Sequence, residues 1–300
     1  MTYELPNPLG SKRPDGTFAG YFADREEYRV NLTHVDETLD FQEMRSRRTP
    51  VSRPSTTGQN NPVYPGISVI TTIAIGRDAY LMLVRQQRPS GDNVLKLVSG
   101  YIPKMHLQNP LNVAKEELSE EVLPVTPDGK VVRIFLGGEI TGMPFADTIK
   151  SHDYRLQGSP TSQYMPEGLL SPVTVEGKQL ADDPRMFFWL PENNAQLVYG
   201  YHFSGDELKN MDVSLHHSED EFNPNTRMLD AVPHSHGIYL VGLDNNRLTS
   251  EIYTMQKGKL VGISPDELLL SEAFAPIENG FVDRRSIPLH EYRKMHNRWI

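Results

Sequence analysis

The pattern of apolar and polar positions predicts a β-sheet that begins near residue 66. Between Gly66 and Ile75 β-branched residues dominate, which is typical of a buried strand, and Ala79–Val84 repeats the apolar character after the turn Gly76-Arg77-Asp78. This combination predicts a β-hairpin. Further strands are predicted at Met186–Leu190 and Gln196–Phe203, and a second hairpin at Gly237–Leu243 and Leu248–Met255.

A helical repeat stands out against this strand pattern. Ala114, Leu118 and Val122 recur every four residues, Asn109 is a suitable N-cap, and Pro110 suits the first helical position. We therefore predict a short helix that starts at Pro110 and buries its apolar stripe.

The predicted helix carries a cluster of glutamates, of which Glu117, Glu120 and Glu121 share one face because residues three and four apart are neighbours on a helix. Carboxylates held close together repel one another unless a cation lies between them. Hard oxygen ligands in this arrangement suit Mg²⁺ or Mn²⁺. The alternative is a solvated acidic face, since glutamate is a good helix former. A predicted turn at Ser99-Gly100, before the helix, favours a cradle for a metal and a phosphate.

The segment Leu97–Val125 resembles the Nudix box. That pattern is a glycine, five residues, a glutamate, seven residues, and then Arg-Glu-aliphatic-x-Glu-Glu-x-Gly-aliphatic. Its helical half aligns without gaps with residues 116–124, so that the family glutamates fall on Glu117, Glu120 and Glu121, and the upstream glycine is Gly100.

Several positions of the segment depart from the pattern. Glu116 stands at the arginine position and Leu123 at the glycine position. The upstream glutamate position holds His106 or Gln108, depending on the end from which it is counted, and Lys96 stands where many relatives carry a glutamate. These departures motivate an alternative, a nucleotide-binding or regulatory protein that keeps the fold and has lost most activity.

The resemblance implies an α/β (α+β) fold, in which a mixed β-sheet is sandwiched by helices. The segment Leu83–Pro89, which precedes the box, is similar to the corresponding segment of ADP-ribose and nucleoside-diphosphate-sugar pyrophosphatases, a branch of this family. Residues 1–65 are polar and turn-rich and are interpreted as an N-terminal arm or linker, and 66–300 as the Nudix-like domain with an insertion at about 143–184. The arm and the insertion motivate a third alternative, a structural or assembly protein.

The resemblance also implies a reaction, the metal-dependent hydrolysis of a diphosphate linkage in a nucleoside diphosphate derivative. A bound Mg²⁺ or Mn²⁺ would activate water and neutralise phosphate charge. The implied metal ligands are Glu117, Glu120 and Glu121; the catalytic residues are Glu120, Glu121 and Glu139; and the substrate-binding residues are Arg85, Arg88 and Gly100. Glu139, just after a predicted strand, is the candidate general base, and the two arginines are equally well interpreted as surface residues.

Charge and composition limit the classes of partner that we expect for this chain. With 39 acidic and 30 basic residues the net charge of the 300-residue chain is −9, which argues against a nucleic-acid or anionic-membrane surface. There is no cysteine, no apolar run of about 20 residues and no apolar leader, so a cytoplasmic protein is expected. By likeness to related dimeric proteins a homodimer is expected.

Two further polar clusters, His216-His217 and the run Glu219–Glu221, are interpreted as surface groups.

Overall fold

The structure is a computed structural model of the chain. It describes residues 11–12, 16–26, 29–47, 62–87, 91–129, 171–180, 183–223, 225–226, 228–234, 237–245, 247–264, 270–271, 281–282 and 287–288.

Strands dominate the described residues. In chain order they are β1 Ser11–Lys12, β2 Tyr21–Glu26, β3 Arg29–His34, β4 Tyr64–Ile75, β5 Asp78–Gln87, β6 Asn93–Lys96, β7 Val98–Tyr101, β8 Val122–Val125, β9 Ser171–Val175, β10 Lys178–Gln179, β11 Arg185–Trp189, β12 Asn194–Ser204, β13 Ser214–Asn223, β14 Met228–His234, β15 Ile238–Asp244, β16 Arg247–Gln256, β17 Lys259–Ile263, β18 Leu270–Ser271, β19 Phe281–Val282 and β20 Ile287–Pro288.

The helices of the described residues are short. They are α1 Phe41–Arg47, α2 Pro110–Glu121 and α3 Asp206–Asn210, with two single 3₁₀ turns at Lys104–His106 and Leu190–Glu192. Of these helices, none is long and apolar enough to cross a membrane.

The strands form two sheets. The main path of the large sheet runs β17-β16-β15-β5-β4-β12-β11-β9-β3-β2, and the small sheet has the order β1-β14-β13-β8. The large sheet is mixed, because β12 pairs in parallel with β4 and β3 with β9, whereas most other neighbours are antiparallel. The mixed character predicted for the sheet is therefore present.

The predicted fold class is wrong in its helical part. The described residues form a mostly β structure with three short helices, not a sheet sandwiched by helices. The physical reason is the pattern of apolar residues. Among the described residues, a helical repeat is sustained over the 12-residue helix α2, whereas strand patterns dominate the rest. Within the polar stretch 204–234, the segments Ser214–Asn223 and Met228–His234 form the strands β13 and β14.

The apolar side chains separate onto the two faces of the large sheet. A helix-side cluster contains Ile67 and Val69 of β4, Leu118 of α2 and Leu215 of β13. A far-side cluster includes Ile70 of β4 and members of β5, β6 and β12. Because successive residues of a strand point to opposite faces, membership of these clusters shows on which face each neighbouring polar side chain lies.

The predicted hairpins are confirmed. β4 and β5 pair in antiparallel register around the turn at Gly76, and β15 and β16 pair around the predicted turn near Asp244. The strands predicted at Met186–Leu190 and Gln196–Phe203 are also present, as β11 and β12.

Within residues 1–65 the described strands contribute to both sheets, because β1 pairs with β14 of the small sheet whereas β2 and β3 lie in the large sheet. β2 and β3 form a hairpin, and β3 continues the sheet by pairing with β9, so Val30 lies beside Val173. Tyr21, Val30 and Leu32 are buried by this packing. β9 falls inside the predicted insertion 143–184 and is likewise a sheet strand. Residues 130–170, and with them the predicted strand that precedes Glu139, lie outside the described residues.

Candidate functional site

Helix α2 forms where the sequence predicts it and buries the predicted stripe. Ala114, Leu118 and Val122 are each 1% exposed. Pro110 occupies the first turn, although the Asn109 side chain makes no capping hydrogen bond. After Glu121 the chain passes directly into β8, where Pro124 lacks a donor N–H and disfavours helix in the residue before it.

A buried ion pair joins this helix to the large sheet. Nζ of Lys96 donates to Oε1 of Glu121 at 3.1 Å, and both residues are only 8% exposed. Lys96 is the last residue of β6 and pairs with Val84, a member of the helix-side cluster, so it lies on the helix side. Nζ also reaches Oγ of Ser99 at 3.4 Å.

The charges around Lys96 keep it protonated. Burial acts to lower the pKa of Lys96, but the carboxylates of Glu121 and Glu219 outweigh this effect. The hydrogen bond to Glu121 and the charge of Glu117 act in the same direction, so the pKa of Lys96 lies above its usual value. These interactions therefore favour the charged form of Lys96.

Glu219 enters the site from β13. Nε2 of Gln86 donates to Oε1 of Glu219 at 2.6 Å, which ties β5 to the small sheet. Glu219 is half-buried, so the interpretation of the run Glu219–Glu221 as surface groups does not hold for Glu219. The negative charges of Glu219 and Glu117 also act on Lys96, which Glu121 contacts directly.

The Glu117 carboxylate lies directly against Gly100. A Cβ at position 100 would overlap the Glu117 carboxylate. Gly100 is a residue of β7, paired with Ile67 of β4, so the predicted turn at Ser99-Gly100 is wrong and the two residues are extended. Glycine is needed here for close approach of a side chain to the strand, and not for a bend.

His217 fixes the end of α2 to β13. Its Nδ1 lies 3.0 Å from the carbonyl oxygen of Glu121, and because a carbonyl only accepts, Nδ1 carries the proton of this bond. His217 is fully buried and His216 is 6% exposed, so the interpretation of this pair as surface groups is wrong. A Cβ at Gly237 would lie 2.5 Å from Cβ of His217, so a glycine at that position makes room for the histidine.

The structure brings together some of the predicted site residues. Glu117, Glu121 and Gly100 are neighbours on the helix side, and Glu120, one turn of α2 after Glu117, is half-buried. Arg85 lies apart from them, because it pairs with Leu95 of the far-side cluster and so belongs to the opposite face of the sheet.

Arg88 and Glu139, the remaining predicted site residues, lie outside the described residues. Their roles as substrate ligand and general base stay predictions.

The arrangement fits a three-carboxylate metal site poorly. Oε1 of Glu121 is committed to an ammonium at hydrogen-bond distance, and a metal ion and an ammonium repel each other. Among the described residues no group of three or more His, Cys, Asp or Glu side chains is arranged to hold a metal ion. Glu117 and Glu120 are the carboxylates of the predicted set that Lys96 does not directly bind.

Several residues of this site were not predicted to belong to it. Gln86 follows Arg85 by one position, and the alternation of β5 is the signal that separates the two. No local signal links Glu219 or His217 to α2, because His217 and Glu121 are 96 residues apart along the chain and meet only in the folded structure.

Compared with models of protein families, with curated proteins and with solved structures, the chain gives no match.

Proposed function

We propose that this chain is a catalytically impaired, Nudix-like protein that acts in binding or regulation. In this proposal it does not carry out the metal-dependent hydrolysis of a diphosphate linkage. The observation that carries the proposal is the buried pair of Lys96 and Glu121. A protonated lysine in direct contact with one of the glutamates repels a divalent ion and so disfavours metal binding by that carboxylate.

The position of Arg85 supports the same conclusion. A hydrolase of this kind needs a cation near the diphosphate on the side of the carboxylates, since phosphate and carboxylate repel each other. Arg85 is on the opposite face of the sheet. The positive charge of Lys96 is already balanced by the carboxylates of its glutamate neighbours. A nucleoside diphosphate derivative, the ligand class that the resemblance implies, would therefore be held by groups other than this acidic cluster.

A second candidate is the hydrolase itself. Glu117 and Glu120 favour it, because both are half-buried and stand three residues apart on one face of α2. In this variant of the reaction these two carboxylates would hold Mg²⁺, which would supply a nucleophilic water and neutralise phosphate charge.

Ligand binding and turnover separate the candidates. Thermal unfolding would be followed with a panel of nucleoside diphosphates and nucleoside-diphosphate sugars, each in Mg²⁺ and in EDTA, and phosphate release would be measured on every ligand that stabilises the protein. We expect stabilisation that persists in EDTA, without phosphate release. Mg²⁺-dependent release that Glu120→Gln abolishes would overturn the proposal in favour of the hydrolase. Stabilisation by no member of the panel would favour the structural or assembly protein.

A further inference from the structure

Strand β17 lies at one end of the main path of the large sheet. It pairs with β16, and among the described residues no strand pairs with its other edge. Val261 is 42% exposed, and Lys259 and Gly262 are exposed as well. An open strand edge presents unpaired N–H and C=O groups to any chain that can add a strand. The free edge of β17 therefore offers backbone groups for one more strand.

The two ends of the large sheet differ in the charges that protect them. β2, at the opposite end, carries the consecutive charged residues Asp24, Arg25 and Glu26, and charges on an edge strand disfavour pairing with another chain. β17 has one charge, Lys259, at its first position, and the four residues that follow are uncharged. Of these two edges, that of β17 is therefore the better suited to pairing with another strand.

The turn between β16 and β17 sets the hydrogen-bond pattern of the hairpin. Lys257 and Gly258 both have positive φ, so they form a two-residue turn of type I′. The turn joins Gln256 to Lys259, which are partners in the ladder. Because a turn of this length closes on a hydrogen-bonded pair, the backbone groups of Lys259 point to β16.

The alternation of the ladder shows which groups of β17 face outward. Hydrogen-bonded and non-hydrogen-bonded pairs alternate in an antiparallel ladder, and this one runs without a register shift. Val261 therefore bonds to β16, as Lys259 does, whereas the N–H and C=O groups of Leu260 and Gly262 point to the free edge. Among the described residues, neither of these two makes a backbone hydrogen bond outside this hairpin.

We propose that the free edge of β17 binds β17 of a second copy of this chain, antiparallel and about a two-fold axis at Val261. In this register Leu260 of each copy lies opposite Gly262 of the other, and the two symmetric pairs form about four backbone hydrogen bonds. Val261 meets Val261 of the second copy in a non-hydrogen-bonded pair, where side chains are closest. The same surface serves both copies, so the dimer is closed. The proposal goes beyond the proposed function and does not depend on which candidate holds.

Side chains on the helix side of the sheet support a second copy as the occupant. Tyr253 of β16 is the ladder partner of Gly262, and its ring is partly buried against the helix-side cluster. Apart from its chain neighbours, a Cβ at Gly262 would meet only this ring, at 4.0 Å. The space over the glycine is therefore open. In the proposed register, Leu260 of the second copy stands opposite Gly262 and fills this space against the ring.

Side chains on the far side of the sheet are self-complementary as well. Val261 lies opposite its own copy there, and Lys259 lies opposite Ile263, so that no like charges face each other. Ile263 packs only partly against the far-side cluster, so its apolar surface is available for the methylene groups of Lys259 of the second copy. A strand of five residues buries less area than a standard stable interface, so the dimer should depend on protein concentration.

Sedimentation velocity of the whole chain tests the proposal. As the concentration rises from about 5 to about 500 µM, the sedimentation coefficient of wild type should increase from the monomer value to the dimer value. Val261→Lys and Val261→Glu each place like charges opposite each other at the axis, so each should self-associate about fivefold or more weakly than wild type. An equimolar mixture of the two variants should dimerise again, because only the mixed dimer pairs opposite charges at this position.

Phe22→Lys and Phe22→Glu are the matched controls. Phe22 lies on β2, at the other end of the sheet, and like Val261 it is 42% exposed. Both controls should dimerise as wild type does, and mixing them should change nothing. Weakening by the Phe22 substitutions in place of the Val261 substitutions would assign the interface to β2 and overturn the proposal.

Hydrogen exchange of wild type gives a readout that needs no substitution. The amides of Leu260 and Gly262 should exchange more slowly at high than at low protein concentration, because they become bonded across the axis. The amide of Val261 is already bonded to β16 and should change little. Equal exchange of the Leu260 and Gly262 amides at both concentrations would contradict the pairing, whether or not the variants fold.

The remaining outcomes also decide the question. A wild type that stays monomeric over the whole range, a dimer that Val261→Lys leaves intact, or a mixture that remains monomeric would each overturn the proposal. Tighter association of Val261→Glu alone would place Lys259 of the second copy opposite position 261, and this result would overturn the proposed register.

Discussion

The ammonium of Lys96 lies 3.1 Å from Oε1 of Glu121, and both side chains are almost fully buried between β6 and the last turn of α2. Removing one partner of such a pair leaves an uncompensated charge in a poorly solvated place, whereas removing both leaves an apolar contact. The pair therefore links the stability of the helix to that of the sheet.

Lys96→Met should lower the free energy of unfolding by about 3–5 kcal/mol, and Lys96→Met/Glu121→Leu should recover most of that loss. Denaturant unfolding of the single and double variants would measure the coupling. Lys178→Met, at an exposed lysine, is the matched control and should change stability by less than about 0.5 kcal/mol. A double variant no more stable than Lys96→Met would show that the pair is not an isolated unit.

Close approach of Glu117 to Gly100 predicts a second coupling. A methyl group at position 100 would overlap the end of the Glu117 side chain, which is flexible enough to move away. Gly100→Ala should therefore displace the carboxylate at a cost of about 1–3 kcal/mol, and in a Glu117→Ala background the same change should cost clearly less. Unfolding of the four proteins of this cycle would test it, and equal costs in both backgrounds would contradict the contact.

The buried stripe of α2 predicts a simple packing defect. Leu118 is 1% exposed and belongs to the helix-side cluster. Leu118→Ala should lower the free energy of unfolding by about 2–5 kcal/mol, through lost burial and the cavity that remains. Asn112→Ala, at an exposed position of the same helix, should change it by less than about 0.5 kcal/mol. Equal effects of the two substitutions in denaturant unfolding would mean that α2 does not pack on the sheet through this stripe.

Local sequence patterns predict α2 and the hairpins well because their contacts are local. The four-residue spacing of Ala114 and Leu118 and the β-branched run of β4 each fix one element without knowledge of the rest. The sheet order depends on distant pairings instead. Val30 beside Val173 joins two segments interpreted as an arm and an insertion, and nothing in either segment names its partner. The helical layer was inferred from the resemblance, and among the described residues one helix, α2, carries a sustained helical repeat.

In the candidate site, too, local patterns predict some features, and contacts between distant parts of the chain determine the others. Helical periodicity was sufficient to group Glu117, Glu120 and Glu121 on one face of α2. It gave no information on what that face meets, and Lys96 and Glu219 come from strands far away in the sequence. The outcome at the site depends on those two residues, because one supplies the cation and the other adds a carboxylate.

The buried phenol of Tyr21 predicts a loss of stability at alkaline pH. Burial, with a further contribution from the charge of Glu176, raises the pKa of Tyr21 from 10.0 to about 12. Between these two values the unfolded chain has lost the phenolic proton and the folded chain has kept it. The contribution of Tyr21 to stability is therefore complete below about pH 10 and is lost as the pH rises through about 12.

Tyr21→Phe removes this titration and isolates it from the other groups that ionise in the same range. Denaturant unfolding at pH 8, 10 and 11 should show the stability of wild type falling more steeply than that of Tyr21→Phe. Tyr239→Phe, at another buried tyrosine of the large sheet, serves as the comparison substitution. Parallel curves for wild type and Tyr21→Phe would show that the phenol ionises at the same pH in the folded and unfolded chains.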